Sequence, residues 1–350
     1  MNTLLKSVTI VNGNTKNLHL KKRDILISSH PTPDSSSDIV YLKNAAKEQL
    51  TNLHPLGNLT VKGEGEILAE LYDMQNAGAK GFYDFKHPMS NANLLKIALQ
   101  YAQNFGGLIF SFPLDKSISG KGIVNEGITS TKLGLKGIPA LAEELQVARD
   151  LFILEYTGGK LFIPTISTAN SVKLIADAKK KGLQIFCSVA AHNLLITDDA
   201  LEDFDTQYKV MPPLRTAADV KALQKGVKNG TIDLVTSDHT PLNVELKHVE
   251  FDNADFGSIG LESIFGILNN LLGFEESVLL LTKGRSIFGM EEINLEVGQE
   301  ANLTLFTTEE SFEFSEQHII SSSKNAIAIG EKMKGKVVGT IANNQLALNN

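Results

Sequence analysis

A regular alternation of short apolar runs with helix-period segments is the feature that most constrains this chain. Seven strand-like runs, each followed by a segment of helical periodicity, lie between residues 24 and 272. Such alternation predicts parallel strands joined by crossover helices, in a doubly wound sheet or a (β/α) barrel. A closed barrel normally uses eight units, so the seven units leave one missing. The predicted strands are 24–28, 50–54, 80–84, 107–112, 160–165, 183–188 and 232–237. The predicted helices are about 38–48, 64–78, 91–104, 138–156, 169–181, 216–228 and 259–272.

The two ends of the chain have a different pattern. Residues 291–350 are rich in strand-forming runs punctuated by glycine, which predicts a second, all-β module. Residues 1–22 contain one or more further strands, which we expect to pair with this module because chain ends often lie close together. The predicted division is therefore 1–22, 23–290 and 291–350, with the middle segment as the α/β unit.

Composition excludes several classes of function. Acidic residues outnumber basic ones by 40 to 33, and the formal charge of −7 argues against binding to a nucleic-acid backbone. No apolar stretch approaches the ~18 residues of a membrane span, so no membrane partner is expected. Cys187 is the one cysteine, which rules out a disulfide framework and favours the cytoplasm. We expect Cys187, on a predicted strand, to be a buried small hydrophobe.

Seven phrases occur in one order along residues 24–290 and together indicate a family. They are HPLGNLTVKGEGEILAEL at 54–71, KGIVNEG at 121–127, LGLKGIPALAEELQVARDL at 133–151, STANSVKLIADAKKKG at 167–182, FDTQYKVMPPLR at 204–215, NGTIDLVTSDHTP at 229–241 and ADFGSIGLES at 254–263. Together they resemble the dihydroorotase branch of the amidohydrolase superfamily. The resemblance implies a TIM-like (β/α) barrel with a small β-sandwich built from both chain ends. It also implies zinc-dependent hydrolysis or closure of the ring amide of dihydroorotate in pyrimidine biosynthesis.

The metal ligands of that family are mostly replaced. Zinc needs three or more N, O or S ligands, and the family's H-x-H pair occurs nowhere in this chain. By the resemblance, Phe85 stands in place of the bridging acid, whereas Phe112 and Thr165 replace two histidine ligands. Neither Phe nor Thr ordinarily binds zinc. Only Asp238 matches an acid that binds metal and shuttles the proton in active relatives. We therefore expect no metal here, and a structural role for Asp238, such as accepting backbone N–H bonds in a loop.

The positions that contact substrate in the family are also changed. His30 and Met211 replace two asparagines, and Leu242 replaces a histidine. His192 lies in a phrase that usually holds a histidine pair, and we interpret it as a loop histidine with a satisfied hydrogen bond. His239 follows Asp238, and Gly260 fits either a backbone that once approached a ligand or a plain turn. Replacing polar ligands by Phe and Leu predicts a more apolar pocket that packs itself shut.

The predicted strand 24–28 aligns better with the family's second barrel strand than with its first. The first βα unit, which would carry H-x-H, is therefore predicted to be absent. That agrees with the count of seven units. An open edge in the barrel would favour association, so we expect a homodimer or a hetero-assembly.

These observations leave three functions open. The first is a catalytically inactive dihydroorotase homologue with a scaffolding or regulatory role. Because inactive dihydroorotase-like chains in some bacteria support aspartate transcarbamoylase, that enzyme is the implied partner. The second is an active cyclic-amide hydrolase with an atypical metal site, in which Asp238 binds the metal together with residues that the motifs do not identify. A new site near the barrel mouth could also be assembled from His30, His87 and His239. The third is a metal-independent binder of small molecules.

Overall fold

A computed structural model describes residues 24–27, 33–290, 302–343 and 345–349. The helices are α1 Ser36–Ala46, α2 Leu71–Ala77, α3 Ala92–Ala102, α4 Lys116–Ser119, α5 Ile128–Leu133, α6 Ala140–Thr157, α7 Ala169–Lys180, α8 Ala217–Lys228, α9 Ile264–Leu272, α10 Phe274–Thr282 and α11 Gly284–Ile287. The strands are β1 Asp24–Ile27, β2 Asn52–Pro55, β3 Leu108–Phe110, β4 Val124–Asn125, β5 Gly137–Ile138, β6 Lys160–Ile163, β7 Ile185–Ala190, β8 Leu234–Thr236, β9 Leu303–Phe306, β10 Ser311–Glu313, β11 Lys332–Lys334, β12 Val337–Ala342 and β13 Gln345–Leu348. The strands predicted within 1–22, and His30, lie outside the described residues.

The seven predicted strands form one parallel array. β1 pairs with β2, and β3, β6, β7 and β8 pair in that order, all in parallel. The segment 80–84 lies between the two groups. Phe82 bridges to Gly57 and to Ile109, and the backbone nitrogens of Lys80 and Tyr83 donate to the carbonyl oxygens of Pro55 and Gly57. Directly after this segment, Phe85 and Lys86 have φ of 24° and 28°, which takes the chain out of the extended conformation.

Alternate strand residues build two separate apolar cores. On β3, Leu108 and Phe110 belong to one cluster with Phe112, whereas Ile109 belongs to another. The first, which we call the inner cluster, consists of Leu56, Tyr83, Leu108, Phe110, Phe112, Phe162, Leu234 and Phe288. Because it joins residues flanking β2 to residues of β8, the sheet must curve around it. The other cluster lies between the strands and the helices, as a strand with two buried faces requires.

Aromatic rings fill the inner cluster. The rings of Phe110 and Phe162 stack with centroids 4.5 Å apart. Phe288 lies nearly parallel to both, at 6.3 Å from Phe110 and 6.0 Å from Phe162. Stacked pairs of this kind add about 0.5–1.5 kcal/mol beyond the burial of their area. The interior of the parallel array is therefore a packed core rather than a cavity at this level.

Side-chain caps define several helices where the sequence predicts them. Thr168 accepts a hydrogen bond from the backbone of Ser171 at the start of α7. Thr216 and Asp219 form a capping box at the start of α8. The helix predicted over 64–78 is wrong in its first half, since α2 begins only at Leu71. Gly65 has a φ of 77° and interrupts the helical pattern there.

The described part of the C-terminal segment is antiparallel. β9, β12 and β13 form one three-stranded sheet, and β10 pairs with β11. This agrees with the all-β pattern of that segment. Asn269 of α9 donates to the carbonyl oxygens of Thr308 and Lys334, at 3.0 and 2.7 Å. These hydrogen bonds connect the C-terminal segment to α9. No helix in the described ranges is long and apolar enough to cross a membrane.

Candidate functional site at the carboxyl ends of the strands

The residues singled out by the resemblance follow successive strands of the array. Parallel strands bring their carboxyl ends to one edge, where active sites of (β/α) barrels are built. Phe112 follows β3, Thr165 follows β6, His192 follows β7 and Asp238 follows β8. Phe85 follows the Phe82 bridge. We call this edge the mouth.

Phe112 is part of the apolar interior. Its side chain is 1% exposed and belongs to the inner cluster. Met211, predicted at a former substrate position, is half-buried and packs against the same cluster. Phe112 and Met211 therefore both contribute to hydrophobic packing at the mouth.

Asp238 has a partner that the sequence did not suggest. Its Oδ2 accepts a hydrogen bond from Lys86 Nζ at 2.8 Å, and the two side chains are 7% and 15% exposed. Lys86 is the one hydrogen-bond donor to the Asp238 carboxylate in the described part of the chain, so the expected loop N–H donors are replaced by an ion pair. Phe85, by contrast, points partly to solvent and is 39% exposed. Its ring meets Tyr83 edge-on, with centroids 6.0 Å apart.

Asp84 is a second acidic residue at the mouth, and its carboxylate already accepts several hydrogen bonds. Its Oδ1 accepts from the backbone nitrogens of Leu59 and Thr60, both at 2.8 Å. Its Oδ2 accepts from the Thr60 hydroxyl at 2.6 Å. Burial raises the pKa of Asp84, and these hydrogen bonds act in the opposite direction. The carboxylate thus fixes the loop after β2 and has little capacity for a metal ion.

Several described residues have a buried polar atom without a hydrogen-bond partner, and two of these residues, Thr165 and His192, follow strands at the mouth. Neither Thr165 Oγ1 nor His192 Nε2 has a hydrogen-bond partner among the described residues. The expectation of a satisfied hydrogen bond at His192 is therefore wrong for Nε2. Burial lowers the pKa of His192 to about 4, although the charge of Asp238 acts to raise it. The imidazole is neutral at pH 7, so it adds no second cation beside Lys86.

His239 and Gly260 together hold a loop. His239 Nδ1 accepts from the backbone nitrogens of Gly260 and Leu261, at 3.3 and 3.4 Å. A Cβ on Gly260 would lie 2.2 Å from the Ser237 carbonyl oxygen, so the glycine is needed for this close approach. Leu242 anchors the same region through its backbone nitrogen, which donates to Asn325 Oδ1 at 3.2 Å. This close approach to the Ser237 backbone is a third explanation for the glycine, beside the former ligand approach and the plain turn.

The histidines proposed for a new site are also engaged. The Nδ1 of His87 makes a short contact with the carbonyl oxygen of Gly63, and His239 Nδ1 is an acceptor as described above. His30 lies outside the described residues. His87 and His239 therefore each hold a local loop and do not form a shared metal site.

The backbone at the mouth is strained. Phe85, Lys86, Thr165 and Asp238 all have φ between 24° and 47°, although none is glycine. Such conformations cost about 1–3 kcal/mol each and cluster at functional sites. The described part of the mouth thus combines a buried apolar side chain, Phe112, with backbone conformations of the kind found at functional sites.

The residues at the mouth do not fit zinc. A zinc ion needs at least three donor side chains in fixed geometry. The described residues contain no group of three or more His, Cys, Asp or Glu that could hold a metal ion. Asp238 and Asp84 each have other partners, and Phe112 and Thr165 offer no ordinary ligand.

Comparison with known structures identifies the class of fold. The L-hydantoinase (dihydropyrimidinase) of Arthrobacter aurescens superposes with a TM-score of 0.77 at 21% identity, covering 93% of this chain and 77% of that one. The dihydroorotase of Saccharomyces cerevisiae in complex with 5-fluoroorotic acid gives a TM-score of 0.66 at 14% identity, covering 90% and 89%. The chain therefore has the α/β fold of the amidohydrolase-type barrel proteins.

Sequence comparison identifies the family within that class. A dihydro-orotase-like family model matches residues 25–171. The dihydroorotase of Pelotomaculum thermopropionicum is 37% identical over 328 residues, which are 92% of this chain and 77% of that protein. The dihydroorotase of Geobacter sp. strain M21 is 36% identical, over 91% and 77%. The chain belongs to the dihydroorotase family of cyclic amidohydrolases, as the sequence resemblance indicated.

Proposed function

We propose that this protein is a non-catalytic, metal-free dihydroorotase homologue with a scaffolding or regulatory role in a cytoplasmic pyrimidine-pathway assembly. The observation that carries the proposal is Phe112. At a position that corresponds to a histidine ligand in active relatives, it places a phenyl ring that is 1% exposed within the inner cluster. A buried ring cannot coordinate a metal, and moving it would open a cavity in a packed core. The engaged carboxylates of Asp84 and Asp238 support the same conclusion.

Metal content and turnover test this proposal directly. The protein is purified without chelators and analysed for zinc, and ring opening of dihydroorotate is assayed in parallel. The Pelotomaculum thermopropionicum relative, named a dihydroorotase, serves as the positive control. We expect far less than one zinc per chain and no turnover above background. Stoichiometric zinc together with turnover would overturn the proposal and support the active hydrolase that the names of the relatives suggest.

A metal-independent binder of small molecules is the second candidate. It is favoured by the unpartnered Thr165 Oγ1 and His192 Nε2, since buried polar atoms normally have partners. A ligand that binds only the folded state raises the melting temperature, by the equivalent of about 2.7 kcal/mol at 100 times its Kd. Thermal-shift assays with dihydroorotate, carbamoyl aspartate and orotate test this candidate. The absence of any shift at millimolar concentrations would reject it for these ligands.

The proposal for the fold extends the described array. We assign seven segments, namely β1, β2, the Phe82 bridge, β3, β6, β7 and β8, to the second to eighth strands of a barrel over residues 23–290. Residues 1–22 and 291–350 would supply the β-sandwich. The support is the curvature of the sheet. Counted within these seven segments, Lys86 follows the third and Asp238 follows the seventh. In a flat sheet, four strand spacings would separate the two residues by about 19 Å. Their side chains are in contact at 2.8 Å.

A scaffolding role needs a docking surface, and α6 offers one. Leu141, Leu145, Phe152 and Tyr156 are 55%, 46%, 71% and 78% exposed. Their spacing places them within one stripe of the helix. The neighbouring helix α3 packs against α6 and adds two further exposed apolar side chains, Ile97 and Tyr101.

We propose a second copy of this chain as the occupant of this surface. The six side chains are each 42–78% exposed. A stripe along one helix can pack on its own copy around a two-fold axis, which makes the contact self-complementary. Contiguous exposed apolar side chains of this kind mark interaction sites.

Sedimentation velocity between 1 and 100 µM tests the dimer. The wild type is expected to sediment as a dimer and Phe152→Glu as a monomer. Ile128→Glu is the matched control, because Ile128 is 88% exposed on α5 and outside the stripe. It is expected to leave the dimer intact. A monomeric wild type, or a dimeric Phe152→Glu, would overturn the assignment. A monomer that binds aspartate transcarbamoylase through the stripe would replace the second copy by that enzyme.

A further inference from the structure

We propose that the ammonium group of Lys86 permanently takes the place of a metal cation at the mouth, as the counter-charge of Asp238. The inference rests on the proposed metal-free function and deepens it. It assigns a role to a residue that neither the motifs nor the family resemblance indicated. In this view the site has exchanged one cation for another rather than merely lost its ligands.

The burial of Asp238 requires a counter-charge. Its side chain is 7% exposed, and a carboxylate at that depth is costly unless it is paired and hydrogen-bonded. Lys86 Nζ supplies both in one contact of 2.8 Å. Within the described ranges no other donor reaches that carboxylate. His192, whose pKa the charge of Asp238 acts to raise, is held neutral by its burial.

The Lys86–Asp238 ion pair connects two strand ends, as a bridging metal ion would. Lys86 comes from the loop after the Phe82 bridge, and Asp238 comes from the end of β8. A metal ion in such a site joins ligands from several strands, and the Lys86–Asp238 contact likewise joins two distant strand ends across the mouth. The lysine stem makes this span possible because it carries its charge about 6 Å from the backbone.

The backbone of Lys86 is shaped for this position. Its φ of 28° is left-handed, and its backbone nitrogen donates to the Tyr83 hydroxyl at 3.0 Å. The Phe85 ring lies below the ammonium group, with Nζ 5.7 Å from the ring centroid. These contacts hold the lysine stem over the mouth, where its ammonium group is 2.8 Å from the carboxylate. Strain of this kind persists only where surrounding contacts over-determine it.

A double-mutant cycle in urea tests the inference. Lys86→Met, Asp238→Asn and the double variant are compared with the wild type, each with and without EDTA. Lys86→Met is expected to raise the unfolding equilibrium constant by about 100-fold or more, because it leaves a buried charge unpaired. In the double variant the effects of the two changes are expected to fall well short of multiplying. EDTA and added zinc should leave the wild-type midpoint unchanged.

Matched variants keep the test interpretable. Lys132→Met removes an ion pair with Glu202 whose side chains are 63% and 59% exposed, and it should change stability little. Lys86→Arg retains the cation and should stay close to the wild type even if Lys86→Met fails to fold. If the effects of the two substitutions multiply in the double variant and the wild type is metal-free, this inference is overturned but the proposed function is not. A wild type that contains zinc and is destabilised by EDTA would instead overturn the proposed function on which it rests.

Discussion

Replacing Phe112 by alanine removes a whole phenyl ring from the inner cluster. The ring is 1% exposed, so nearly all of its apolar surface is lost to a cavity. Large-to-small changes of this type at Phe cost about 3–5 kcal/mol when the surroundings cannot collapse. The stacked rings of Phe110, Phe162 and Phe288 restrict such a collapse, so we expect the upper part of that range. Because the chain contains no tryptophan, urea unfolding is best followed by far-ultraviolet circular dichroism.

The matched control makes the same chemical change at an exposed site. Phe152→Ala, at a ring that is 71% exposed on α6, should cost no more than about 0.5 kcal/mol in a monomer. It is therefore measured at a concentration below that of dimer formation. Phe112→His restores the family's ligand type, and we expect it to lower stability without zinc uptake. If Phe112→Ala cost no more than Phe152→Ala, or if Phe112→His bound zinc stoichiometrically, the packed-mouth reasoning would be refuted.

Two further predictions concern the mouth. Because burial lowers the folded-state pKa of His192 from 6.5 to about 4, the unfolded state takes up the proton first. The free energy of unfolding should therefore fall by about 3 kcal/mol from this group as pH drops from 6.5 to 4. Urea midpoints across that range should show the fall in the wild type and a flatter profile in His192→Asn. Gly260→Ala should lower the melting temperature by several degrees, since its Cβ would meet the Ser237 carbonyl oxygen at 2.2 Å. The control Gly127→Ala, with φ of 178° and no contact under 3.5 Å, should change it little.

The fold was largely predictable because local patterns specify it. Strand and helix periods alternate, and polar caps such as Thr168 and Thr216 mark where helices begin. The prediction was wrong where backbone conformation overrides pattern. Left-handed φ angles at Phe85 and Lys86 end the strand over 80–84, and those at Gly63 and Gly65 delay α2.

The site was predictable only in part. The family resemblance draws attention to Asp238 and Phe112, which follow strands β8 and β3, and Phe112 belongs to the inner cluster. The partner of Asp238 could not be found in this way, because Lys86 lies 152 residues earlier in the chain. Only the curvature of the sheet brings the two together. An ion pair between distant segments leaves no local pattern in a single sequence.

The separation of the two apolar cores has a consequence for how such a protein can diverge. Residues of the inner cluster pack against one another and against partly buried neighbours such as Met211, whereas alternate residues such as Ile109 and Cys187 belong to the other cluster. Substitutions in the inner cluster can therefore accumulate without disturbing the helices that pack on the outside of the strands. Such a division allows one side to change while similarity is kept elsewhere, and this chain is 37% identical to its relative from Pelotomaculum thermopropionicum. The residues of the inner cluster and the residues that pack on the helices lie on opposite sides of the same strands. Each set is therefore free to change at its own rate.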